Sequence, residues 1–376
     1  MSIDANMAPS RKNRVLVWGL SNNLGGTEGV ISNVVSVCSP EIAFDFLTTE
    51  EIPNYQNLIK GDNRVFVLPK ITSYSLEYKK ALQHHFEKYS SSYSAVWSNQ
   101  CDARNIEPLK LGYRYQIPRR IMHSHNSNLD APLLSKMLAY ERRRAILPKL
   151  TDRWACSDQA GLYMFGKKPF EIIPNAISFS KYHFSEQKKN CVRTEHHIPL
   201  DAFVIGSIGR LVKTKNHQYI LHLLASNPKL REAYFIVVGD GPEKNNLQAL
   251  AQQLGLINHV RFIEGSRDVA KYYSSFDVFA LPSLFEGLPL VLLEAQANNL
   301  PVVMSTNVSK EGIISNSIKR VPLDHDSDWI SSIFQSNRKD FAFTNKANYF
   351  NLEKQRDFFI KHFTSGDLNQ VQLSTR

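Results

Sequence analysis

Short apolar runs alternate with longer segments that carry apolar residues at helical spacing, from one end of the chain to the other. Short apolar runs are typical of strands buried on both faces of a parallel sheet, and the longer segments are typical of covering helices. The pattern therefore predicts an α/β protein. In the first half the predicted strands are Val15–Gly19, Ala43–Leu47, Val65–Leu68, Ala95–Trp97, Arg120–His123, Arg153–Cys156 and Glu171–Ile173. In the second half they are Phe203–Ile208, Tyr234–Val238, Val260–Ile263, Val278–Leu281, Val302–Ser305 and Lys319–Val321.

The two series of strands predict two domains, because 376 residues exceed the ~250–300 at which one core stops growing. Residues 178–200 are polar and are predicted to form a linker. Open α/β sheets bind ligands at the carboxyl ends of their strands, so a cleft is expected where two such domains face each other. The predicted parts are an N-terminal Rossmann-like domain (1–180), a second Rossmann-like domain (181–345), and a C-terminal helix and tail (346–376) with its helix over Tyr349–Phe363.

The amino-acid composition bears on whether the protein spans a membrane, is secreted or depends on its cysteines. The apolar fraction is 43% and the charged fraction 21%, and no apolar run is long enough to span a bilayer. The polar segment Met1–Arg14 lacks the apolar core of a signal peptide, which predicts a cytoplasmic protein. The four cysteines show no metal-ligand or disulfide spacing and are predicted to be buried thiols.

The net charge of +10 is concentrated in the middle of the chain. Residues 104–168 contain 13 Lys or Arg and 5 Asp or Glu, an excess of 13 − 5 = +8. Such a segment suits a phosphate-bearing substrate or an anionic membrane surface, and it is also compatible with an ordinary solvated helix face. No nucleic-acid-binding motif accompanies the charge, so nucleic acid is not an expected partner.

The most informative motif runs from Ala280 to Ala295 and reads as a strand, a Gly/Pro turn and a helix opened by Pro289. Proline is preorganised for the first helical position, and the free N–H groups of a helix start can bind an anion such as a diphosphate. Glu286 precedes this helix and Glu294 lies inside it. A carboxylate in so apolar a segment needs hydrogen-bond donors, and the vicinal hydroxyls of a ribose are suitable ones, although a surface glutamate is the simpler alternative.

The pair Glu286-x7-Glu294 resembles the signature of family-4 retaining glycosyltransferases of the GT-B fold. The resemblance covers residues 203–305, with Ile208-Gly-Arg-Leu-Val-Lys-Thr-Lys-Asn, Val238-Gly-Asp-Gly-Pro and Phe262-Ile-Glu-Gly in the same order. It implies two facing Rossmann-like, doubly wound domains with a central cleft. It also implies that Arg210 and Lys215 hold the donor diphosphate, that Glu294 binds the ribose and that Glu286 contacts the donor sugar.

The chemistry of the leaving group supports these roles for Arg210 and Lys215. A nucleoside diphosphate gains negative charge as the glycosidic bond breaks, and fixed cations stabilise that charge without a metal or other cofactor. Lys213 is the alternative lysine, and a structural salt bridge is the alternative role for either cation. The donor-binding residues expected in this half are Arg210, Lys215, Gly239, Asp240, Glu286, Gly287, Leu288, Pro289 and Glu294.

In the first half, a glycine-rich loop follows the first strand and contains Gly25 and Gly26. It can approach phosphate or sugar hydroxyls closely, but its spacing is not that of a dinucleotide fingerprint. It resembles the Gly-Gly-x-Glu element near the start of many family-4 enzymes. His123 and His125 end a later strand in the run His-Ser-His-Asn, which resembles capsule and exopolysaccharide glycosyltransferases. The resemblance implies that one of the two histidines lies near the reacting centre, without indicating which.

Two further features qualify this interpretation. The Pro-Asn-Gly element of the family is present as Pro174-Asn-Ala176, which leaves the local turn geometry open. The Asp-x-Asp patterns within Asp324–Asp328 are interpreted as a solvated loop and not as a metal site, because the order of elements expected of a GT-A enzyme does not precede them.

Together the resemblance implies transfer of a hexose or N-acetylhexosamine from a nucleoside diphosphate donor, UDP-linked by preference, to a growing glycan or lipid-linked oligosaccharide. Retention, metal independence and peripheral attachment to the inner face of the plasma membrane are part of this expectation. The alternatives are another GT-B enzyme, such as a nucleotide-sugar epimerase or a phosphorylase, and a non-catalytic sugar-nucleotide-binding module.

Overall fold

The protein contains two compact units, each built around its own parallel β-sheet. The computed structural model describes residues 13–22, 26–39, 41–70, 76–103, 105–125, 133–265 and 268–364. The first unit runs to Asn175 and takes up the chain again from Leu352, and the second covers Ala176–Asn351.

Within the described residues, the first unit has a seven-stranded parallel sheet in the order β3-β2-β1-β4-β5-β6-β7. Its strands are β1 (Arg14–Trp18), β2 (Ala43–Thr48), β3 (Arg64–Val67), β4 (Tyr93–Gln100), β5 (Arg119–Ser124), β6 (Asp152–Ala155) and β7 (Glu171–Ile172). Its first helices are α1 (Gly26–Cys38), α2 (Leu76–Tyr89), α3 (Glu107–Arg114), α4 (Leu133–Ile146) and α5 (Asp158–Phe165), with 3-10 turns at Pro53–Leu58, Ser90–Ser92 and Leu147–Lys149.

The second unit repeats this design with six parallel strands, counted over its described part, in the order β10-β9-β8-β11-β12-β13. They are β8 (Val204–Ile208), β9 (Tyr234–Val238), β10 (Val260–Ile263), β11 (Val278–Leu281), β12 (Val302–Ser305) and β13 (Ile318–Val321). The helices are α6 (Phe179–Tyr182), α7 (Glu186–Glu195), α8 (His217–Ser226), α9 (Pro228–Arg231), α10 (Lys244–Gln253), α11 (Ala270–Ser275), α12 (Leu290–Ala297) and α13 (Asp326–Phe334), with 3-10 turns at Lys213–Lys215, Arg338–Asp340 and Asn345–Phe350.

The order of the strands explains where each unit can bind a ligand. Each sheet grows in both directions from its first strand, so the topological switch point lies between β1 and β4 in the first unit and between β8 and β11 in the second. Helices cover both faces of the second sheet, and its central strands are fully buried on both sides. Ligands of such sheets bind at the switch point, beyond the carboxyl ends of the strands.

The chain ends on α14 (Leu352–Thr364), which packs on the first unit. The ring of Phe363 lies 5.9 Å from the ring of Phe44 and 5.4 Å from that of Trp97, measured between centroids. A helix was predicted here over residues 349–363, and its existence is confirmed with a start three residues later.

Each of the thirteen predicted strands overlaps a strand of the structure, which confirms the α/β fold with two Rossmann-like sheets. The predicted linker over residues 178–200 is wrong, because α6 and α7 form there. Ser185 caps α7 by accepting a hydrogen bond from the Lys188 backbone N–H, and Val192 is fully buried. The Arg193 side chain is also buried, and its guanidinium donates hydrogen bonds to the Ser275 carbonyl and to Asp277. The segment is polar in composition although its arginine is buried, because the arginine is paired with an acid elsewhere in the chain. A folded helix therefore had the composition of a linker.

The prediction of buried thiols holds for Cys38 alone. Cys101 and Cys191 are exposed and Cys156 is half-buried, and none of the four forms a disulfide bond.

Candidate active site

In the second unit, two glycines bring the loops after β8 and β9 into contact. Gly209 has a φ of +152° and Gly239 a φ of +153°, a backbone region that side chains rarely adopt. A Cβ atom on Gly239 would lie 1.9 Å from the Gly209 carbonyl oxygen, so only glycine fits. The next residues continue the contact, because the Leu211 N–H donates to the Asp240 carbonyl at 2.8 Å. Gly239 and Asp240 thus border the loop that begins with Arg210.

Lys215 and Glu286, predicted separately, form an ion pair in this unit. The Lys215 ammonium lies 2.5 Å from Glu286 Oε2, and the Ser283 hydroxyl donates to Glu286 Oε1 at 2.5 Å. The two loops are joined by a backbone hydrogen bond from Leu284 to Thr214 at 2.8 Å. An ammonium group has three donors, so Lys215 keeps two for a bound anion.

Arg210 and Lys213 differ from Lys215 in their surroundings. Both are exposed, and neither forms an ion pair with the described residues. Lys215, in contrast, is half-buried and its side chain passes over Gly209, so its charge lies directly at the sheet edge. Lys215 is therefore the half-buried, paired cation of this loop, and Arg210 is an exposed cation on the same loop.

The helix α12 begins one residue later than predicted. Pro289 is the N-cap residue with an extended backbone, and Leu290 is the first helical residue. No side chain caps this helix start. The Leu290 and Val291 N–H groups belong to the free donors of a helix N-terminus, which attract negative charge. Gly287 is exposed and Leu288 half-buried in the turn before the helix.

Glu294 is buried, with 9% of its surface exposed, and two tyrosines hold its carboxylate. The Tyr182 hydroxyl donates to Oε1 at 2.8 Å, and the Tyr273 hydroxyl donates to Oε2 at 2.6 Å. Burial raises the pKa of Glu294, whereas the two hydroxyls and the Lys181 ammonium act in the opposite direction. Each carboxylate oxygen can accept two hydrogen bonds, so each keeps one position for a further donor. Two vicinal hydroxyls match that arrangement.

The backbone carbonyls of both tyrosines accept hydrogen bonds from other side chains. The Asn298 amide donates to the Tyr182 carbonyl at 2.7 Å, and the half-buried Arg338 guanidinium donates to the Tyr273 carbonyl at 2.8 Å. Neither tyrosine was predicted from the sequence. The sequence indicated that a buried Glu294 carboxylate requires hydrogen-bond donors, but not where in the chain these donors lie.

His217 is a third residue that was not predicted from the sequence. It is the first residue of α8, is buried, and its Nδ1 lies 3.2 Å from the Ser207 hydroxyl. Its Nε2 has no hydrogen-bond partner among the described residues. Burial lowers the pKa of His217 to about 4, so the imidazole is neutral at physiological pH.

In the first unit, the two predicted histidines occupy different environments. His123 is fully buried in the core, with its ring 6.3 Å from that of Trp97 and 5.8 Å from that of Trp154. His125 follows the end of β5, and its Nε2 pairs with the Asn99 side-chain oxygen at 2.9 Å. Burial lowers the pKa of both rings, to about 4 for His125. His125 comes directly after the last residue of β5, at the carboxyl edge of the sheet, and is half-buried with its ring 4.2 Å from that of His123.

The loop after β1 approaches the same edge. Gly19 has a φ of +107°, and a Cβ atom there would lie 2.1 Å from the Asn99 carbonyl oxygen. Gly26 is the exposed first residue of α1, and Glu28 two residues on accepts a hydrogen bond from Ser21 at 2.5 Å. The predicted residues Gly25 and Asn126 lie outside the described residues.

The described part of the chain contains no group of three His, Cys, Asp or Glu side chains arranged to hold a metal ion. Asp326 and Asp328 belong to the first turn of α13 and not to the predicted loop, although both are exposed as expected. None of the described helices combines the length and hydrophobicity needed to span a bilayer.

Comparison with known proteins identifies the family. The model of the family "Glycosyl transferases group 1" matches residues 189–323, which contain the loops described above. The Bacillus subtilis (strain 168) protein named "Putative glycosyltransferase EpsF" is 30% identical over 318 residues, covering 80% of this chain and 81% of EpsF. An Escherichia coli UDP-Gal:alpha-D-GlcNAc-diphosphoundecaprenol alpha-1,3-galactosyltransferase is 29% identical over 149 residues, which cover 39% of this chain and 38% of that enzyme.

Solved structures agree on the fold. A glycosyltransferase of Rickettsia africae superimposes with a TM-score of 0.67 at 15% identity, covering 94% of this chain and 99% of its own. Anabaena HepE, solved in complex with UDP and glucose, has a TM-score of 0.64 at 16% identity, covering 93% and 99%. At these identities the likeness establishes the fold alone, and the family rests on the sequence matches. This chain therefore belongs to the glycosyl transferases group 1 family and is a glycosyltransferase of the GT-B fold.

Proposed function

We propose that this enzyme transfers a hexose or N-acetylhexosamine from a UDP-linked donor to a hydroxyl of a growing glycan or lipid-linked oligosaccharide, with retention and without a metal ion. The observation that carries the proposal is the arrangement of the second unit. Glu294 is a buried carboxylate that can accept two further hydrogen bonds, and it lies on α12. The uncapped N-terminus of α12 comes shortly after Glu286, which is paired with Lys215. A nucleoside diphosphate offers a diol and an anion, which are the groups that these features bind.

The proposed binding mode assigns one role to each feature. Glu294 accepts hydrogen bonds from the two ribose hydroxyls. Lys215, Arg210 and the N–H groups at the start of α12 bind the diphosphate, and Glu286 contacts the sugar. The choice of UDP and of a lipid-linked acceptor draws on relatives: HepE was solved with UDP, and the Escherichia coli enzyme is named for UDP-Gal and an undecaprenol-linked acceptor.

The chemical step follows from this binding mode. The bond between the anomeric carbon and the phosphate oxygen breaks, and a bond from the acceptor oxygen to the same carbon forms on the same face. The acceptor proton passes to the leaving phosphate, so no enzymic base is required. Lys215 and Arg210 stabilise the charge that develops on the diphosphate, and removal of one such group typically costs about 10²–10³ in rate.

Glu286 is poorly suited to a covalent mechanism. Its carboxylate is engaged by the Lys215 ammonium and by the Ser283 hydroxyl, and both interactions stabilise its charge and reduce its nucleophilicity. Retention by transfer on one face is therefore the proposed course. In the first unit, we assign the sugar contact to His125 and not to the fully buried His123.

The test is a panel of UDP-, GDP- and ADP-sugars incubated in EDTA with polyprenyl-diphosphate-linked sugar acceptors. Transfer from a UDP-sugar in EDTA, with an unchanged anomeric configuration by NMR, is the expected result. Activity that disappears in EDTA and returns with a divalent cation contradicts metal independence. Tight UDP binding with no turnover on any acceptor would favour the binding-module alternative.

A further inference from the structure

The imidazole of His217 lies at the base of the loop that carries the cations of the second unit. Ser207 belongs to β8 and His217 is the first residue of α8, and the nine residues between them include Arg210 and Lys215. The His217 Nδ1 lies 3.2 Å from the Ser207 hydroxyl, and both residues are buried. This contact joins the strand to the start of the helix and so closes the loop at its base.

Two further groups of the loop act on the His217 ring. Burial, and to a smaller extent the charge of Lys215, lower the pKa of His217 to about 4, whereas the Arg210 backbone acts in the opposite direction. A backbone group favours the protonated ring by accepting a hydrogen bond from it, so the group concerned is the Arg210 carbonyl. The neutral ring therefore interacts both with the Ser207 hydroxyl and with the Arg210 carbonyl.

The hydrogen-bonding capacity of the ring is only half used. A neutral imidazole has one N–H donor and one acceptor nitrogen. The Ser207 hydroxyl can donate to Nδ1, which leaves the proton on Nε2. That Nε2 is buried and has no partner in full hydrogen-bond geometry within the described part of the chain. The Arg210 carbonyl is an acceptor for it, since hydrogen bonds of a free enzyme are often long and tighten when the substrate binds.

Arg210 differs from Lys215 in how its charged group is held. The Lys215 ammonium is fixed by Glu286, whereas Arg210 is exposed and forms no ion pair with a described residue. The position of the guanidinium therefore depends on the Arg210 backbone. The Arg210 carbonyl accepts a hydrogen bond from the Val212 N–H at 2.9 Å, and a carbonyl oxygen can accept two. His217 can supply the second.

We propose that His217 is a positioning residue that ties the Arg210 carbonyl to β8 through Ser207, and so holds the Arg210 guanidinium in place for the donor diphosphate. The inference rests on the proposed function, in which Arg210 binds that diphosphate. A cation that is fixed in advance stabilises the charge of the leaving group without reorganisation at the moment of reaction. Loss of the imidazole should therefore reduce the rate of transfer while the fold is kept.

The test is a double-mutant cycle on transfer from the donor sugar, with the wild type, His217→Phe, Arg210→Ala and the double variant. His217→Phe keeps an aromatic ring and removes both nitrogens, and His217→Gln keeps an N–H donor. The matched control is His85→Phe in the first unit, where a buried imidazole pairs with the Tyr93 hydroxyl at 2.9 Å. Circular dichroism and urea unfolding identify any variant that fails to fold.

His217→Phe is expected to lower kcat/KM about fivefold to tenfold, chiefly through kcat, and His217→Gln and His85→Phe are expected to stay within about twofold of the wild type. In the Arg210→Ala background, His217→Phe should cost no more than about twofold further, because its effect passes through Arg210. Additive losses in the double variant would overturn the proposal, as would wild-type kcat/KM in a folded His217→Phe.

Hydrogen exchange of the backbone amides in residues 209–216 separates this proposal from the proposed function, because it is measured without a donor. These amides should exchange at least about threefold faster in His217→Phe than in the wild type and in His85→Phe. Equal exchange in all three would overturn the role of His217 and leave the proposed donor site standing. Absence of transfer by the wild type from every donor would refute the proposed function, and the exchange of this loop would then decide the role of His217.

Discussion

Replacing Tyr273 by phenylalanine removes one of the two hydroxyls that hold the Glu294 carboxylate, and we expect this change to weaken UDP binding. The Tyr273 hydroxyl donates to Oε2 at 2.6 Å, and the Tyr182 hydroxyl to Oε1 at 2.8 Å. The phenylalanine ring fills the same space, so packing against Phe276 and Phe279 is kept. The perturbation is therefore confined to the carboxylate.

The size of the effect follows from the burial of Glu294. A hydrogen bond to a charged group contributes about 1.5–3 kcal/mol, and a buried carboxylate has no water to replace the lost donor. If half of that energy, about 0.75–1.5 kcal/mol, serves to keep Glu294 charged and oriented for the ribose, UDP affinity falls by about 3-fold to 12-fold. The variant Tyr182→Phe is expected to act in the same direction, through the other oxygen.

The change also predicts a shift in pH dependence. Burial raises the pKa of Glu294, and each tyrosine hydroxyl and the Lys181 ammonium oppose that rise. Burial raises the pKa of the Tyr182 phenol, and the negative charges of Glu294 and Asp268 raise it further. Removal of a tyrosine hydroxyl raises the pKa of Glu294 further. Because the ribose needs an ionised carboxylate, affinity is lost as pH falls, and it is lost at a higher pH in the variant than in the wild type.

Calorimetric titration with UDP and with 2′-deoxy-UDP across a pH series measures both effects. The matched control is Tyr219→Phe, since the Tyr219 hydroxyl also donates to a carboxylate, that of Asp326, at 2.7 Å and outside the site. The preference for UDP over 2′-deoxy-UDP should shrink in the Tyr273 and Tyr182 variants and persist in the control. Unchanged affinity and pH profile in both site variants, while Glu294→Gln abolishes binding, would show that the tyrosines do not act on the ribose.

Three further predictions concern the charged groups. Lys215→Ala should lower the rate of transfer by about 10²–10³ with the fold intact by circular dichroism, whereas the exposed Lys213→Ala should leave the rate within about twofold. Arg193→Met should lower the free energy of unfolding in urea by about 3–5 kcal/mol, because it removes the hydrogen bonds that the buried guanidinium donates to Asp277 and to three backbone carbonyls. The exposed Lys229→Met is a near-neutral control. Stability should fall as pH is lowered from about 6.5 to 4, by about 1.4 kcal/mol per pH unit for each proton that only the unfolded chain binds. Burial lowers the pKa of five described histidines in the folded protein, namely His85, His123, His125, His196 and His217. Unfolding that is accompanied by the uptake of no more than one proton over this window would contradict this reasoning.

The sheets could be predicted from the sequence because parallel strands are buried on both faces and therefore appear as unbroken apolar runs. The run Val278–Leu281 is fully buried in the structure, and its predicted and observed bounds coincide. The glycines at the strand ends were also informative. Gly239 is needed because a side chain there would collide with the Gly209 carbonyl, and Gly209 has a positive φ that side chains rarely adopt.

The supports of the site could not be predicted, because they depend on contacts between distant parts of the chain. Tyr182 precedes Glu294 by 112 residues, and neither it nor Tyr273 belongs to a recognisable motif. The helix α7 was missed for a related reason. Its buried Arg193 is paired with Asp277, which lies 84 residues later. Because the partner is so distant in sequence, the segment taken alone has the charged composition of a linker.

The most direct measurement is the release of nucleoside diphosphate from the donor sugar in EDTA, compared between the wild type, Glu294→Ala and Arg210→Ala, with Lys213→Ala as the matched control. We expect the wild type and the control to turn over one donor, and both site variants to lose at least tenfold in kcat/KM. Turnover by Glu294→Ala and Arg210→Ala at the wild-type rate would contradict the assignment of the donor site to the loops of the second unit.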